Sequence, residues 1–118
     1  MEATKDTEES KRVASMVDAR RGHCFGACSD AVGWCPGFFY VEGWGTVLRT
    51  GERFPHAWLA GNGRIIDPAI PDEAMTYEEL RRWTYEEMRA AGMVKGWLPL
   101  SPELAVVVDL TALRADAR

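Results

Sequence analysis

Residues 38–67 limit the possible folds most. Phe38 to Leu48 is rich in aromatic and β-branched residues, which predicts a strand. Thr50-Gly51-Glu52 reads as a turn. Phe54 to Ala60 reads as a second strand, Gly61-Asn62-Gly63 as a hairpin turn, and Arg64 to Asp67 as a third strand. On a strand, residues two apart point to the same face. Tyr40, Glu42 and Trp44 are therefore expected on one face of the first strand, with Phe39 and Val41 on the other. Gly43 and Gly45 point to a bulge or a close backbone approach. His56 and Trp58 share a face of the second strand, and Asp67 lies across a tight turn from them.

Helices are expected before and after these strands in the chain. Thr7 is a candidate cap, with Glu8 and Glu9 in a first turn where negative charge suits the helix dipole. Val13, Met16, Val17 and Arg20 follow at helical spacing, and Gly22 ends the run. Cys24 to Val32 is a second helix of small residues and thiols, closed by Gly33 and the Pro36-Gly37 turn. After Pro68 and Pro71, Thr76 and Glu79 form a capping-box pattern that predicts a long helix to about Ala91. Leu80, Trp83, Met88 and Ala91 would form its apolar face, and Gly92 its stop. Ser101-Pro102-Glu103 is a good helix start, although Val106-Val107-Val108 prefers a strand; a short helix is favoured. Residues 1–6 and 114–118 are expected to fray.

With 118 residues, the chain suits one compact domain. A net charge of −4 with dispersed basic residues gives no reason to expect nucleic acid or an anionic membrane as partner. No segment reaches the run of about 18 apolar residues needed to span a bilayer. The acidic N-terminus lacks the apolar run of a signal peptide. Three cysteines are an odd number, which excludes a complete disulfide framework and favours a reducing, cytoplasmic setting.

A thiol attacks as thiolate, and that form is favoured at a helix N-terminus or beside an imidazolium. Cys24 opens its helix, Cys28 lies a turn further in, and Cys35 precedes a proline; Cys24 therefore ranks first as nucleophile. Its backbone N–H, unpaired in the first turn, is a candidate oxyanion donor. His56 is the candidate base, shielded by Trp58, and Asp67 its candidate orienting acid. Each has a plainer reading: a buried cysteine, a structural histidine, an Asp-Pro turn. Glu42 either lines a pocket or salt-bridges Arg49, Arg53 or Arg64. His23, the three cysteines and His56 supply zinc-type ligands, but without a Cys-x-x-Cys pair, so neither a metal nor another cofactor is expected. The glycines match no phosphate-binding loop.

Gly22-His23-Cys24-Phe25, Tyr40-Val41-Glu42-Gly43-Trp44, His56-Ala57-Trp58 and Ile66-Asp67-Pro68, in that order, resemble the papain-like cysteine peptidase and transglutaminase-like superfamily. The set is similar in particular to small bacterial and phage proteins of largely unassigned function, over roughly residues 20–90. The resemblance implies an α+β fold: N-terminal helices packed on a small antiparallel sheet, with a long helix after it. It implies acyl transfer from a protein, peptide or small amide through a thioester. Cys24 would be nucleophile, His56 base and Asp67 orienting acid, with His23, Tyr40, Glu42, Trp44 and Trp58 shaping the pocket. Ala27 stands where asparagine is usual, Ala69 follows Asp67-Pro68 in place of threonine, and no glutamine-type oxyanion donor precedes Cys24; Arg20, Arg21 and His23 are the candidates. The alternative is a binding or sequestering module that keeps the pocket without turnover.

Overall fold

Five strands form one mixed sheet, against which short helices pack. The structure, a computed structural model, describes residues 4–17, 24–91 and 99–108. The strands are β1 (Thr4–Lys5), β2 (Phe39–Val47), β3 (Arg53–Gly61), β4 (Arg64–Ile66) and β5 (Met75–Trp83), in the spatial order β1-β4-β3-β2-β5. The helices are α1 (Thr7–Ala14), α2 (Cys24–Val32), α3 (Tyr85–Ala90) and α4 (102–108). The architecture is α+β.

The three central strands lie where the aromatic and β-branched runs placed them. β2 and β3 pair antiparallel from Phe39↔Ala60 to Thr46↔Arg53. Asn62 and Gly63 both have positive φ, +53° and +72°, as a tight Asn-Gly hairpin turn requires. That turn sets the β3–β4 register from Gly61↔Arg64 to Leu59↔Ile66. β1 runs parallel to β4, so the sheet is not purely antiparallel. Thr4 and Lys5 are thus held rather than frayed: Thr4 N–H donates to the Gly63 carbonyl at 3.0 Å, and Lys5 Nζ donates to the Ile70 and Glu73 carbonyls. Asp6, one residue before the expected cap, caps α1 by accepting the Glu9 N–H at 3.0 Å. The helix expected to run on to Gly22 stops early: α1 ends at Ala14, Ser15 is its C-cap, and residues 15–17 form a turn; residues 18–23 lie outside the described residues.

The long helix expected over 76–91 is replaced by strand β5 and the short helix α3. The tetrapeptide Thr-Tyr-Glu-Glu occurs twice, at 76–79 and 84–87. The first copy lies within β5, and the second opens α3 with a capping box between Thr84 and Glu87. The local code is the same, so the difference comes from tertiary pairing. β2 offers a second edge of backbone donors and acceptors, and residues 75–83 satisfy it from Val47↔Met75 to Tyr40↔Trp83. The register shifts at Glu42/Gly43, where Glu42 faces Arg81 and Gly43 faces Glu79, so Leu80 is the extra residue of a bulge.

The sheet is strongly curled. β1 and β5 are its outer strands, yet Lys5 Nζ lies 5.9 Å from the centre of the Tyr77 ring. One core cluster joins Val13, Phe25, Cys28 and Ala31 of the helices to Tyr40, Ala57, Leu59 and Ile66 of the sheet. A second joins Val41, Trp58, Ala60 and Ile65, with Tyr77 packed against it. Leu104 of α4 is also fully buried, in line with the favoured helical reading of that segment. Among the described residues, no helix is long and apolar enough to cross a membrane.

At the bulge β2 and β5 approach so closely that a Cβ on Gly43 would sit 2.1 Å from the Glu78 carbonyl oxygen. Backbone cannot give way as a flexible side chain does. Gly43→Ala is expected to cost about 2 kcal/mol or more and to loosen β5, read as a lower urea midpoint and faster amide exchange over residues 75–83.

Candidate active site

The β3–β4 ladder ends at Leu59↔Ile66, and the chain turns away at Asp67. Its backbone N–H is taken up by Ser10 Oγ of α1 at 2.9 Å, and that hydroxyl itself donates to the Asp6 carbonyl at 2.7 Å. Asp67 Oδ1 accepts the Ile70 N–H at 3.1 Å. Asp67 Oδ2 accepts from both His56 Nε2 and the Tyr77 hydroxyl, each at 2.8 Å. The carboxylate is fully buried and well satisfied.

His56 sits midway along β3 within an aromatic shell. The Phe54 ring meets it edge-on at 5.4 Å, Trp58 lies at 6.0 Å and Tyr77 stacks at 6.3 Å. Gly45 leaves space for it, since a Cβ there would lie 3.3 Å from His56 Cδ2. Burial is the largest single influence on the imidazole and lowers its pKa. The charge and hydrogen bond of Asp67, with the bond and charge of Cys24, together outweigh burial and raise it to about 10. The buried Asp67 carboxylate thus favours the charged form of the ring. Nε2 is engaged by Asp67, and the Cys24 side chain also acts on the ring, through a hydrogen bond and its charge.

Cys24 is the first residue of α2, at the positive end of the helix dipole. The sequence-predicted Cys24, His56 and Asp67 thus stand side by side. Cys28 is fully buried, and burial pushes its thiol well up; burial also raises Cys35. Both behave as small apolar residues. All three cysteines are free. Among the described residues, no three His, Cys, Asp or Glu side chains converge as a metal site.

The expected pocket residues divide. Trp58 packs on the His56 ring and on Tyr77, the latter at 5.0 Å. Trp44 is turned elsewhere, with the Arg53 guanidinium 4.1 Å above its ring. Tyr40 and Glu42 are buried and form an anchor rather than an open pocket wall. Glu42 accepts the Tyr40 hydroxyl at 2.5 Å and the Leu100 and Ser101 N–H groups at 2.7 Å, just before α4. It pairs with none of the three arginines considered for it: Arg49 meets Glu73, Arg53 meets Glu78 and Arg64 meets Asp6. His23, with the other oxyanion candidates Arg20 and Arg21, lies outside the described residues. A depression of about 670 Å³, lined by Met16, Val17, Ser29, Asp30, Gly33, Trp34 and Tyr85, lies toward the other end of α2 from Cys24.

Tyr77 and Ser10 were missed from the sequence. The capping-box pattern puts Tyr77 in a long helix; the signal that points instead to a strand is the spacing of Met75 and Tyr77, two apart after a turn. Ser10 carries no signal of its own, because its role depends on where α1 meets Asp67.

The folded-state pKa of His56 lies above that of an unfolded histidine. Its protonation therefore stabilises the fold fully below about pH 6.5, and this stabilisation is lost as pH rises through about 10. Denaturation across that range should show the decline, and Asp67→Asn should remove most of the slope. Glu42→Ala leaves two amides and a phenol without their acceptor; a loss of about 3 kcal/mol or more is expected in the unfolding free energy.

No family model, curated protein or solved structure matches the chain.

Proposed function

We propose that the chain is a cysteine-dependent acyl-transfer enzyme of papain-like or transglutaminase-like type, acting on an amide through Cys24, His56 and Asp67. The observation that carries this reading is the contiguous set itself: a thiol at a helix start acts on an imidazole that a buried carboxylate holds through Nε2. In the reaction the Cys24 sulfur, as thiolate, bonds to the substrate carbonyl carbon. The His56 imidazolium gives its proton to the departing amine nitrogen as the C–N bond breaks, leaving a thioester. Water, or an acceptor amine, then attacks the thioester while neutral His56 takes its proton, and sulfur leaves as thiolate. Asp67 keeps the ring oriented and stabilises its charged form. Three free cysteines suit a reducing compartment such as the cytoplasm.

A second reading has its own support. His56 and Asp67 are almost wholly buried, and Cys24 is only 8% exposed, which suits a binding module that retains the site without turnover.

Iodoacetamide at neutral pH, with peptide mapping, separates the two. Catalysis requires Cys24 to react ahead of Cys28 and Cys35, with His56→Ala lowering its rate by about 100-fold. p-Nitrophenyl acetate should acetylate Cys24 with release of p-nitrophenolate, and water should then remove the acetyl group as acetate. If Cys24 reacts no faster than a free model thiol and takes up no acetyl group, the binding reading replaces the enzymatic one.

A further inference from the structure

Asp67 Oδ2 is shared. It accepts from His56 Nε2 and from the Tyr77 hydroxyl at the same distance, 2.8 Å. Oδ1 is separately held by the Ile70 N–H, and the backbone N–H by Ser10. The carboxylate is therefore located without the phenol, which leaves Tyr77 a different task. We propose that Tyr77 is a positioning residue that competes with His56 for Asp67 Oδ2 and so limits how tightly the imidazole holds its proton.

The chemistry follows from the donors. Burial, followed by the charge of Asp67 and its hydrogen bond, pushes the phenol pKa up, so Tyr77 remains a neutral O–H donor. A donor on a carboxylate oxygen disperses its negative charge and weakens its hold on a second donor. An acid–base group works best with a pKa near the working pH, and the two-step reaction needs His56 to shed its proton before thioester hydrolysis. Tyr77 moves the imidazole in that direction. The other titratable groups acting on this cluster are Cys24 and Cys28 on α2 and Lys5 on β1; Glu42 on β2 acts on Cys28. Lys5 also acts on Asp67 through its charge, but it spends its hydrogen bonds on the Ile70 and Glu73 carbonyls. Among the described residues, the phenol is the only side chain besides His56 bonded to the Asp67 carboxylate.

The sequence placed Tyr77 outside any site, and the acyl-transfer reading does not call for it. The proposal rests on that reading only for its effect on turnover; the hydrogen-bond competition is testable without it. In the full chain labelled with ¹⁵N-histidine, NMR follows the His56 ring nitrogens and the Nε2 proton against pH. Tyr77→Phe should move the Nε2 proton downfield at neutral pH. It should also raise the proton affinity of His56 by about 3- to 10-fold. Site-specific fluorination of Tyr77 at ring position 3 makes a stronger donor of nearly the same size, and should shift both readouts the opposite way. This second variant keeps the test open if Tyr77→Phe fails to fold.

A phenol that only fills space would leave the ring resonances unmoved by fluorination, and that result overturns the proposal. A fall in His56 proton affinity in Tyr77→Phe also overturns it, since the phenol would then be supporting the His56–Asp67 bond instead of competing with it. Failure of Cys24 to take up acetyl would remove the enzymatic reading alone and leave these NMR outcomes in force.

Discussion

The buried Asp67 carboxylate is the interaction on which the rest depends. Its backbone and side chain bind α1 through Ser10, the following turn through Ile70, β3 through His56 and β5 through Tyr77. Three separate elements, α1, β3 and β5, meet the chain at this one residue. Without these partners, burying an anion would be prohibitive. These partners converge on the buried carboxylate only in the assembled fold, so the site and the tertiary structure form together.

The curl of the sheet follows the same logic. A flat sheet would hold β1 and β5 far apart, at opposite edges. Here the Lys5 ammonium reaches the Tyr77 ring, and His56, Trp58 and Tyr77 pack between the converging strands. The glycines of β2 permit this. Gly43 lets β5 approach at the bulge, and Gly45 leaves room for the imidazole. A second buried carboxylate, Glu42, does for the C-terminal segment what Asp67 does for the strands. It gathers two backbone amides just before α4 and ties that segment to the middle of β2.

Cys24, His56 and Asp67 were legible because each has a local rationale. Cys24 begins a helix, His56 lies on a strand with Trp58, and Asp67 ends the hairpin that returns to it. The tight Asn62-Gly63 turn made that proximity readable, since its length and chirality fix which residues face each other. Glu42 was legible as unusual, an acid in an apolar strand, but its partners were not. They are main-chain groups of Leu100 and Ser101, which carry no side-chain signature. Trp44 shares the Tyr40 and Glu42 spacing, yet it stacks under Arg53 because that side chain neighbours it across the hairpin.

The sequence by itself determined the central strands, their tight turn, the helix that opens with Cys24 and the order of the three chemical groups, because these depend on neighbours in the chain. Only the tertiary structure decided the state of residues 75–83. Thr-Tyr-Glu-Glu is strand at its first occurrence and helix start at its second, since only the first meets the unpaired edge of β2. That pairing carries Tyr77 to Asp67. A propensity of a few tenths of a kcal/mol per residue cannot compete with a ladder that satisfies the backbone groups of the mostly buried β2 over most of β5's length.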